Sequence, residues 1–356
     1  MVFFTHFYCI ILNIERGYKM EISAIVLAAG KGTRMKSELP KCAHMIIDKP
    51  MVEYVVDALR EVKIKNIVTV VGYGRQNIET LLGDKVKYAI QEEQLGTAHA
   101  VKQARPFLEG KEGITIIAIG DMPFIRKETF YSLMINHMQE CAKLTVLTVE
   151  HPQPYGYGRI MRDDNGNVTG IIEEKDCTKD QTAIREINSS IYAVENELLF
   201  SALDEITNDN SQKEYYLTDL VKVFNKKGYK VNGYKINDYN ELSGINNKLQ
   251  LSEMEVEFQK KIIERHLLNG VSIHNPATVV IGKDVIIGQG VTVMPNTYIT
   301  GKSKIGKNST LGPGSDIRDS IVGENVNITY SIIEKSQIKD NEIIGPYKII
   351  KENIVH

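Results

Sequence analysis

Seven aliphatic residues in the last quarter of the chain stand six positions apart without a break: Ile281, Ile287, Val293, Ile299, Ile305, Leu311 and Ile317. Glycine follows four of them, at 282, 288, 306 and 312. The position four beyond is small or β-branched each time, as at Val285, Val291, Thr297, Ser303, Ser309 and Ser315. The frame then slips by one residue and resumes at Val322, Ile328, Ile344 and Ile350. An ordinary β-rich domain would show period two with turns at irregular intervals. A fixed period of six predicts a parallel β-helix, in which each coil buries its apolar edge against the next.

The rest of the chain is built differently. Ile22–Leu27, Ile67–Val71, Ile114–Ile119 and Leu144–Val149 are short continuous apolar runs and read as buried strands. Val52–Val62 and Phe130–Met138 have helical periodicity between them, so the alternation predicts an α/β domain with a mostly parallel sheet. Ligands of such sheets bind beyond the carboxyl ends of the strands, which directs attention to the residues after Leu27 and Ile119. From Glu241 to Leu267 the pattern is one long helical stretch, stopped by Asn269-Gly270 and read as a connecting helix. The expected division is 20–240 for the α/β domain, 241–270 for the connection and 271–356 for the repeat. Residues 1–19 are read as an extension foreign to the fold, with Met20 as the natural start. Val2–Ile14 is apolar but shorter than the roughly 20 residues that span a bilayer, and it lacks the flanks of a signal peptide.

Composition narrows the functional classes. A net charge of −2 leaves no nucleic-acid footprint. Cys9, Cys42, Cys141 and Cys177 are scattered, without metal or redox spacing, which fits a reducing cytoplasm.

The segment Leu27-Ala28-Ala29-Gly30-Lys31-Gly32-Thr33-Arg34-Met35 delivers a strand into a glycine-rich turn. Gly30 and Gly32 are expected to allow positive φ and close backbone approach, so that amides cradle an anion. Arg34 and, seven residues on, Lys41 supply cations suited to phosphate oxygens. Met35 replaces the third glycine of a dinucleotide fingerprint, and P-loop spacing is absent. A plain strand-turn remains the alternative. Gly120-Asp121-Met122-Pro123 follows the second strand end, where a carboxylate suits a hard cation such as Mg²⁺ or simply caps a turn. Gln91 and Gln94–Thr97 form a polar loop, and Glu173 and Asn188 flank strands, where they read as sugar-hydroxyl partners or as structural groups.

Taken in order, LAAGKGTRMKSELPK (27–41), QEEQLGTAHA (91–100), GDMPFI (120–125), YGYGRI (155–160), GIIEEKD (170–176), EINSSIY (186–192), EYYLTD (214–219), SGINNKLQLS (243–252) and RHLLNGV (265–271) resemble one bacterial family. It is that of the bifunctional N-acetylglucosamine-1-phosphate uridyltransferases/glucosamine-1-phosphate acetyltransferases. The likeness runs from Met20 to roughly Gly345. It implies a Rossmann-like nucleotidyltransferase domain followed by a short left-handed parallel β-helix. It implies UTP and N-acetylglucosamine-1-phosphate as substrates, Mg²⁺ as cofactor, and a homotrimer assembled through the β-helix. Leu27, Ala28, Ala29 and Gly30 would contact uracil and ribose through backbone, with Gln91, Gly96 and Thr97 on the uracil side. Arg34 and Lys41 would steady the triphosphate. Asp121 and Asn246 would hold the metal. Gly158, Glu173, Asn188, Tyr216 and Thr218 would line the sugar pocket.

Two departures stand out. Ile119 occupies a position where the family often has an aromatic residue, and the chain stops where the family's β-helix continues into the acetyl-CoA site. The expectation is therefore uridyl transfer without acetyl transfer. The alternatives are a nucleotidyltransferase for another sugar-1-phosphate, with dTTP or GTP, and a non-catalytic assembly subunit of the same fold.

Overall fold

The computed structural model describes residues 21–355, so the expectation for residues 1–19 lies outside the described residues. The described chain divides into two compact units, 21–44 with 50–247, and 45–49 with 248–355.

The first unit is a mixed sheet covered on both faces. Its strands are β1 (Ile22–Ala28), β2 (Asn66–Val71), β3 (Lys87–Ile90), β4 (Ile114–Ile119), β5 (Leu144–Glu150), β6 (Arg159–Arg162), β7 (Val168–Ile172), β8 (Glu186–Glu195) and β9 (Val231–Ile236). The order across the sheet is β9-β5-β8-β4-β1-β2-β3, with β6 paired to β8 and β7 to β6. β1 is parallel to β2 and β4, β2 to β3, and β5 to β9, as the continuous apolar runs imply. β8 runs against β4 and β5, with a register shift between Asn188 and Tyr192. Alternate residues of β1, together with Ala29 just after it, serve two cores. Ala24, Val26 and Ala28 pack with helices Met51–Glu61 and Lys127–Gln139; Ile25, Leu27 and Ala29 pack with Thr97–Lys102, Asn196–Leu203 and Leu220–Lys226. Strands β2 and β3 extend from one flank of β1 and the next strand, β4, docks on the other. This reversal opens a crevice beyond the carboxyl ends of β1 and β4.

The second unit contains the repeat. Its short strands stack into three ladders, parallel except for the final pairing of Ile349–Lys351 with Ile354–Val355. Tyr298 pairs with Asp316 three full hexads later, but Asp316 pairs with Ile332 and Ile332 with Ile349, at shorter intervals. Three of the six-residue units have lost a residue, those ending at Val322, Ile333 and Ile338, so Ile333 and Ile338 also point inward, although the period of six steps over them. Coils that keep their inward aliphatics tolerate a shorter turn, because stacking needs in-phase strands rather than constant length. The small residues two positions before an inward aliphatic form buried corners. Ser303, Ser309 and Ser320 each accept an N–H from the following coil, from Ser320, Val326 and Ser336 respectively. Hydroxyls thereby satisfy amides that would otherwise be buried without partners.

The long helix spans Lys248–Leu268, beginning at Lys248 rather than at Glu241. Leu242 and Ile245 are buried within the first unit, and Gly244 interrupts the helical pattern between them. The helix ends at Gly270 (φ 88°), where Val271 N–H closes onto the His266 carbonyl, as a glycine C-cap requires. Its Ile262 and Ile263 join the aliphatic core of the coils. Residues 45–49 also belong to this unit: Asp48 accepts the Gly301 N–H at 2.8 Å and Lys49 pairs with Asp284. Among the described residues no helix is long and apolar enough to cross a membrane.

Candidate active site

The glycine-rich turn after β1 is held from two sides. The Ala29 carbonyl accepts Tyr73 N–H at 3.2 Å, and the Leu27 carbonyl accepts Gly120 N–H at 2.9 Å. Of the two glycines expected to be permissive, Gly32 is left-handed (φ 65°), and a Cβ there would lie 2.5 Å from the Cβ of Lys41. Gly32 is therefore needed both for its conformation and for the approach of the Lys41 segment. Gly30 does not take positive φ and nothing crowds it, so its α-carbon simply faces open space.

Four side chains from distant parts of the chain meet beside this turn. Lys41 pairs with Asp121 Oδ2, and its Nζ also donates to Asn246 Oδ1 at 2.6 Å. Arg34 Nη2 donates to the same Asn246 oxygen at 2.9 Å. Asn246 is delivered by Ile245, whose N–H donates to the Asp121 carbonyl at 3.1 Å. The second carboxylate oxygen of Asp121 is buried without a hydrogen-bond partner. An orphaned carboxylate oxygen beside an amide oxygen is a donor set for a hard cation. No cluster of three or more His, Cys, Asp or Glu suited to a metal occurs among the described residues, so such a cation would need ligand oxygens as well. Cys42, next to Lys41, is no nucleophile: burial, reinforced by Asp121, pushes its thiol up to about 12.

A cavity of about 200 Å³ opens beside the end of β1. Leu27, Thr97, Glu173, Tyr216 and Thr218, all expected from the sequence, line it together with Ile119, Ser190, Tyr192, Gln212, Glu214 and Leu217. Burial raises the Glu173 carboxyl above its ordinary value, opposed by the Thr218 hydroxyl, which donates to it at 3.2 Å. Gly158 lies against this group: a Cβ there would be 2.9 Å from Ile171 Cγ2 and 3.5 Å from the Glu173 oxygens. Asn188 does not itself line the cavity. It is buried at the β8 irregularity, where its Oδ1 accepts the Ser190 N–H at 2.9 Å. Ser190 is left-handed (φ 59°), and this break in the strand lies at the cavity wall that Ser190 helps to form. Ser190, Tyr192 and Gln212 are neither acids nor glycines; apart from the family likeness, the Asn-Ser-Ser interruption of an apolar strand is the signal for the first two, and Gln212 has none.

The 91–97 loop is clipped to the 215–217 segment. Tyr215 N–H donates to Leu95, Ala98 N–H to Tyr215, and Leu217 N–H to the Thr97 hydroxyl, at 2.8, 2.9 and 3.0 Å. Gly96 (φ 116°) permits this, since a Cβ would fall 2.5 Å from the Tyr215 carbonyl oxygen. Gln91 is buried, with its amide on the Gly96 carbonyl (3.2 Å) and on His99 Nδ1 (3.0 Å). Gln91 also borders a second cavity, of about 460 Å³, beyond the ends of β2 and β3. The Gly72–Asn77 turn walls it, and its Gly-Tyr-Gly follows β2 rather than β1 or β4.

Residues 23–240 match the nucleotidyl transferase family model, and residues 284–319 match that of the bacterial transferase hexapeptide (six repeats). The chain is similar to several curated proteins named bifunctional protein GlmU. That of Lactobacillus delbrueckii subsp. bulgaricus is 45% identical over 327 residues, 92% of this chain and 71% of the relative. Those of Caldanaerobacter subterraneus subsp. tengcongensis and Brevibacillus brevis are each 43% identical, over 94% and 93% of this chain and 73% and 72% of their own lengths.

Proposed function

Because the chain belongs to the GlmU family of nucleotidyltransferases, we propose that its first unit joins UTP to N-acetylglucosamine-1-phosphate, giving UDP-N-acetylglucosamine and pyrophosphate. The observation that carries this reading is the convergence of Arg34, Lys41, Asp121 and Asn246 beside the end of β1, whose Leu27 also lines the Glu173 cavity.

The chemistry asks for positioning rather than proton transfer. A phosphate oxygen of the sugar phosphate, ionised at neutral pH, attacks the α-phosphorus; the bond to the bridging oxygen breaks and pyrophosphate leaves with its electron pair. No general base is needed. The task is to bring two polyanions together and to stabilise charge on the non-bridging oxygens. Arg34 and Lys41 are the fixed cations for this, with the Gly32 turn letting Lys41 lie against the loop. Glu173 and Thr218 present an acceptor and a hydroxyl to the sugar, and Gly158 keeps space beside that carboxylate. Gln91, Gly96 and Thr97 serve the nucleotide side. Nucleotidyltransferases of this kind use a divalent metal; we assign Mg²⁺, held by Asp121 and Asn246, where it would neutralise phosphate charge.

The same reading carries a cytoplasmic homotrimer assembled through the hexapeptide unit, whose outer faces expose Tyr298, Ile321, Ile332 and Ile349. Sedimentation of the purified protein tests the assembly. The catalytic reading is tested by pyrophosphate release from UTP, dTTP and GTP against N-acetylglucosamine-1-phosphate and glucose-1-phosphate with Mg²⁺. Preference for UTP with the acetylated sugar supports it. Preference for another pair reassigns the substrates, and no turnover with any pair points to the assembly-subunit alternative. Thiol release from acetyl-CoA with glucosamine-1-phosphate, run in parallel, tests the expectation of no acetyl transfer.

A further inference from the structure

Glu241 is 2% exposed, yet it is a carboxylate, and it plays no part in the chemistry above. Withdrawing such a group from water costs several kcal/mol unless donors surround it. They do. Arg126 gives Nε at 2.8 Å and Nη2 at 2.6 Å to one oxygen. The Arg126 backbone N–H, at 3.2 Å, and the Thr129 hydroxyl serve the other. Arg126 is the N-cap residue of helix Lys127–Gln139, and Thr129 lies in its first turn.

The position of this cluster matters more than its strength. Asp121 and Arg126 mark the two ends of the loop that leads from β4 into the helix. The segment carrying Asn246 is fastened to both ends: Glu241 to Arg126, and Ile245 N–H to the Asp121 carbonyl. Asn246 is the residue immediately after the second fastening. Leu242 and Ile245 bury apolar side chains between the fastenings, but apolar packing has no preferred direction, whereas a forked guanidinium-carboxylate pair does.

We propose that Glu241 is a positioning residue that sets where the Asn246 oxygen stands relative to the Asp121 carboxylate, and so tunes the affinity of the cation site. This rests on the reading that Asp121 and Asn246 hold the metal. Outer partners that orient ligating groups are worth about 10–100-fold in metal affinity, and Glu241→Gln is expected to weaken binding on that scale.

The experiment is a Mn²⁺ titration of the full chain with UTP present, following the EPR signal of free Mn²⁺ in wild type, Glu241→Gln, Asp121→Ala and Asn246→Ala. Mg²⁺-dependent pyrophosphate release and thermal unfolding are measured beside it. The proposal expects Glu241→Gln to raise the Mn²⁺ dissociation constant and the half-saturating Mg²⁺ by the same factor, about tenfold or more, with kcat at saturating Mg²⁺ within about twofold of wild type. A lowered melting temperature with unchanged Mn²⁺ affinity would make Glu241 a structural brace and overturn the proposal. If Asp121→Ala and Asn246→Ala bind Mn²⁺ as wild type does, the metal assignment itself has failed and the inference falls with it. If those two lose Mn²⁺ while Glu241→Gln keeps it, only the positioning role has failed. Should Glu241→Gln not fold, Arg126→Gln, at the more exposed end of the pair, is expected to shift Mn²⁺ affinity in the same direction; an unshifted affinity there overturns the proposal equally.

Discussion

Replacing Gly96 by alanine should damage both halves of the proposed site through one contact. The added Cβ would sit 2.5 Å from the Tyr215 carbonyl oxygen and 2.7 Å from its nitrogen, both backbone atoms that cannot rotate away. Real Cβ atoms essentially never approach another heavy atom closer than 3.0 Å, so the two segments must part by about half an ångström or more. The backbone conformation at φ 116°, ψ 174° is one that only glycine adopts freely, and holding alanine there costs about 1–3 kcal/mol. In a unit of this size each kcal/mol lowers the melting temperature by about 2–4 °C, so a fall of roughly 2–12 °C is expected if the contact holds. If it gives way instead, Thr97 and the 216–218 segment move apart. A displacement of this order, against the roughly 100-fold loss typical of a 1 Å misplacement, should lower kcat/KM for both substrates by about tenfold. Gly110→Ala is the control. Gly110 is also at positive φ (75°) with nothing within 4 Å, so alanine there bears conformational strain without a clash. Calorimetry and initial-rate kinetics on the two variants separate the terms. Unchanged kinetics and a melting temperature no lower than that of Gly110→Ala would refute the claim that the Gly96–Tyr215 contact shapes the site.

Arg34→Ala should lower kcat by about 10²–10³, the usual scale for losing one preorganised charge at a transition state, and a KM effect alone would reassign Arg34 to ground-state binding. Asp121→Ala should lose turnover through weaker metal binding, so near-wild-type rates at low Mg²⁺ would sink its assignment. Glu173→Gln should raise KM for the sugar phosphate and leave KM for UTP alone. Burial raises the Glu173 carboxyl, so the unfolded chain gives up this proton before the folded one, and the penalty builds as pH climbs from the ordinary carboxylate range to the raised value and stays constant above it; the variant should therefore gain melting temperature over wild type as pH rises out of the ordinary carboxylate range, and a pH-independent difference would contradict this. His137 is pushed by burial from 6.5 down to about 4, its Nδ1 on the Thr145 hydroxyl at 2.9 Å. The unfolded chain therefore takes up this proton first as pH falls, and about 3 kcal/mol of stability is lost between pH 6.5 and 4. Urea unfolding of His137→Leu should show a shallower acid slope than wild type, and equal slopes would refute the assignment.

The repeat was legible because it is local. Each inward aliphatic answers to partners one coil away in a fixed register, so a period of six in the sequence is already a statement about packing. Even the shortened coils left their trace as a slip in phase, although Ile333 and Ile338 became visible as core only once the ladders were paired. The alternating apolar runs of the first unit likewise announced a parallel sheet, since strands buried on both faces have little freedom in composition. The site was another matter. Arg34, Lys41, Asp121 and Asn246 meet only because β4 docks beside β1 and a segment some 200 positions from Arg34 returns to the same crevice. No local spacing encodes that return, and Asn246 carried no signal apart from the family likeness. Glu241 looked like one more helical residue. Strand order and burial decided its role, because a carboxylate's meaning depends on which donors the fold places around it.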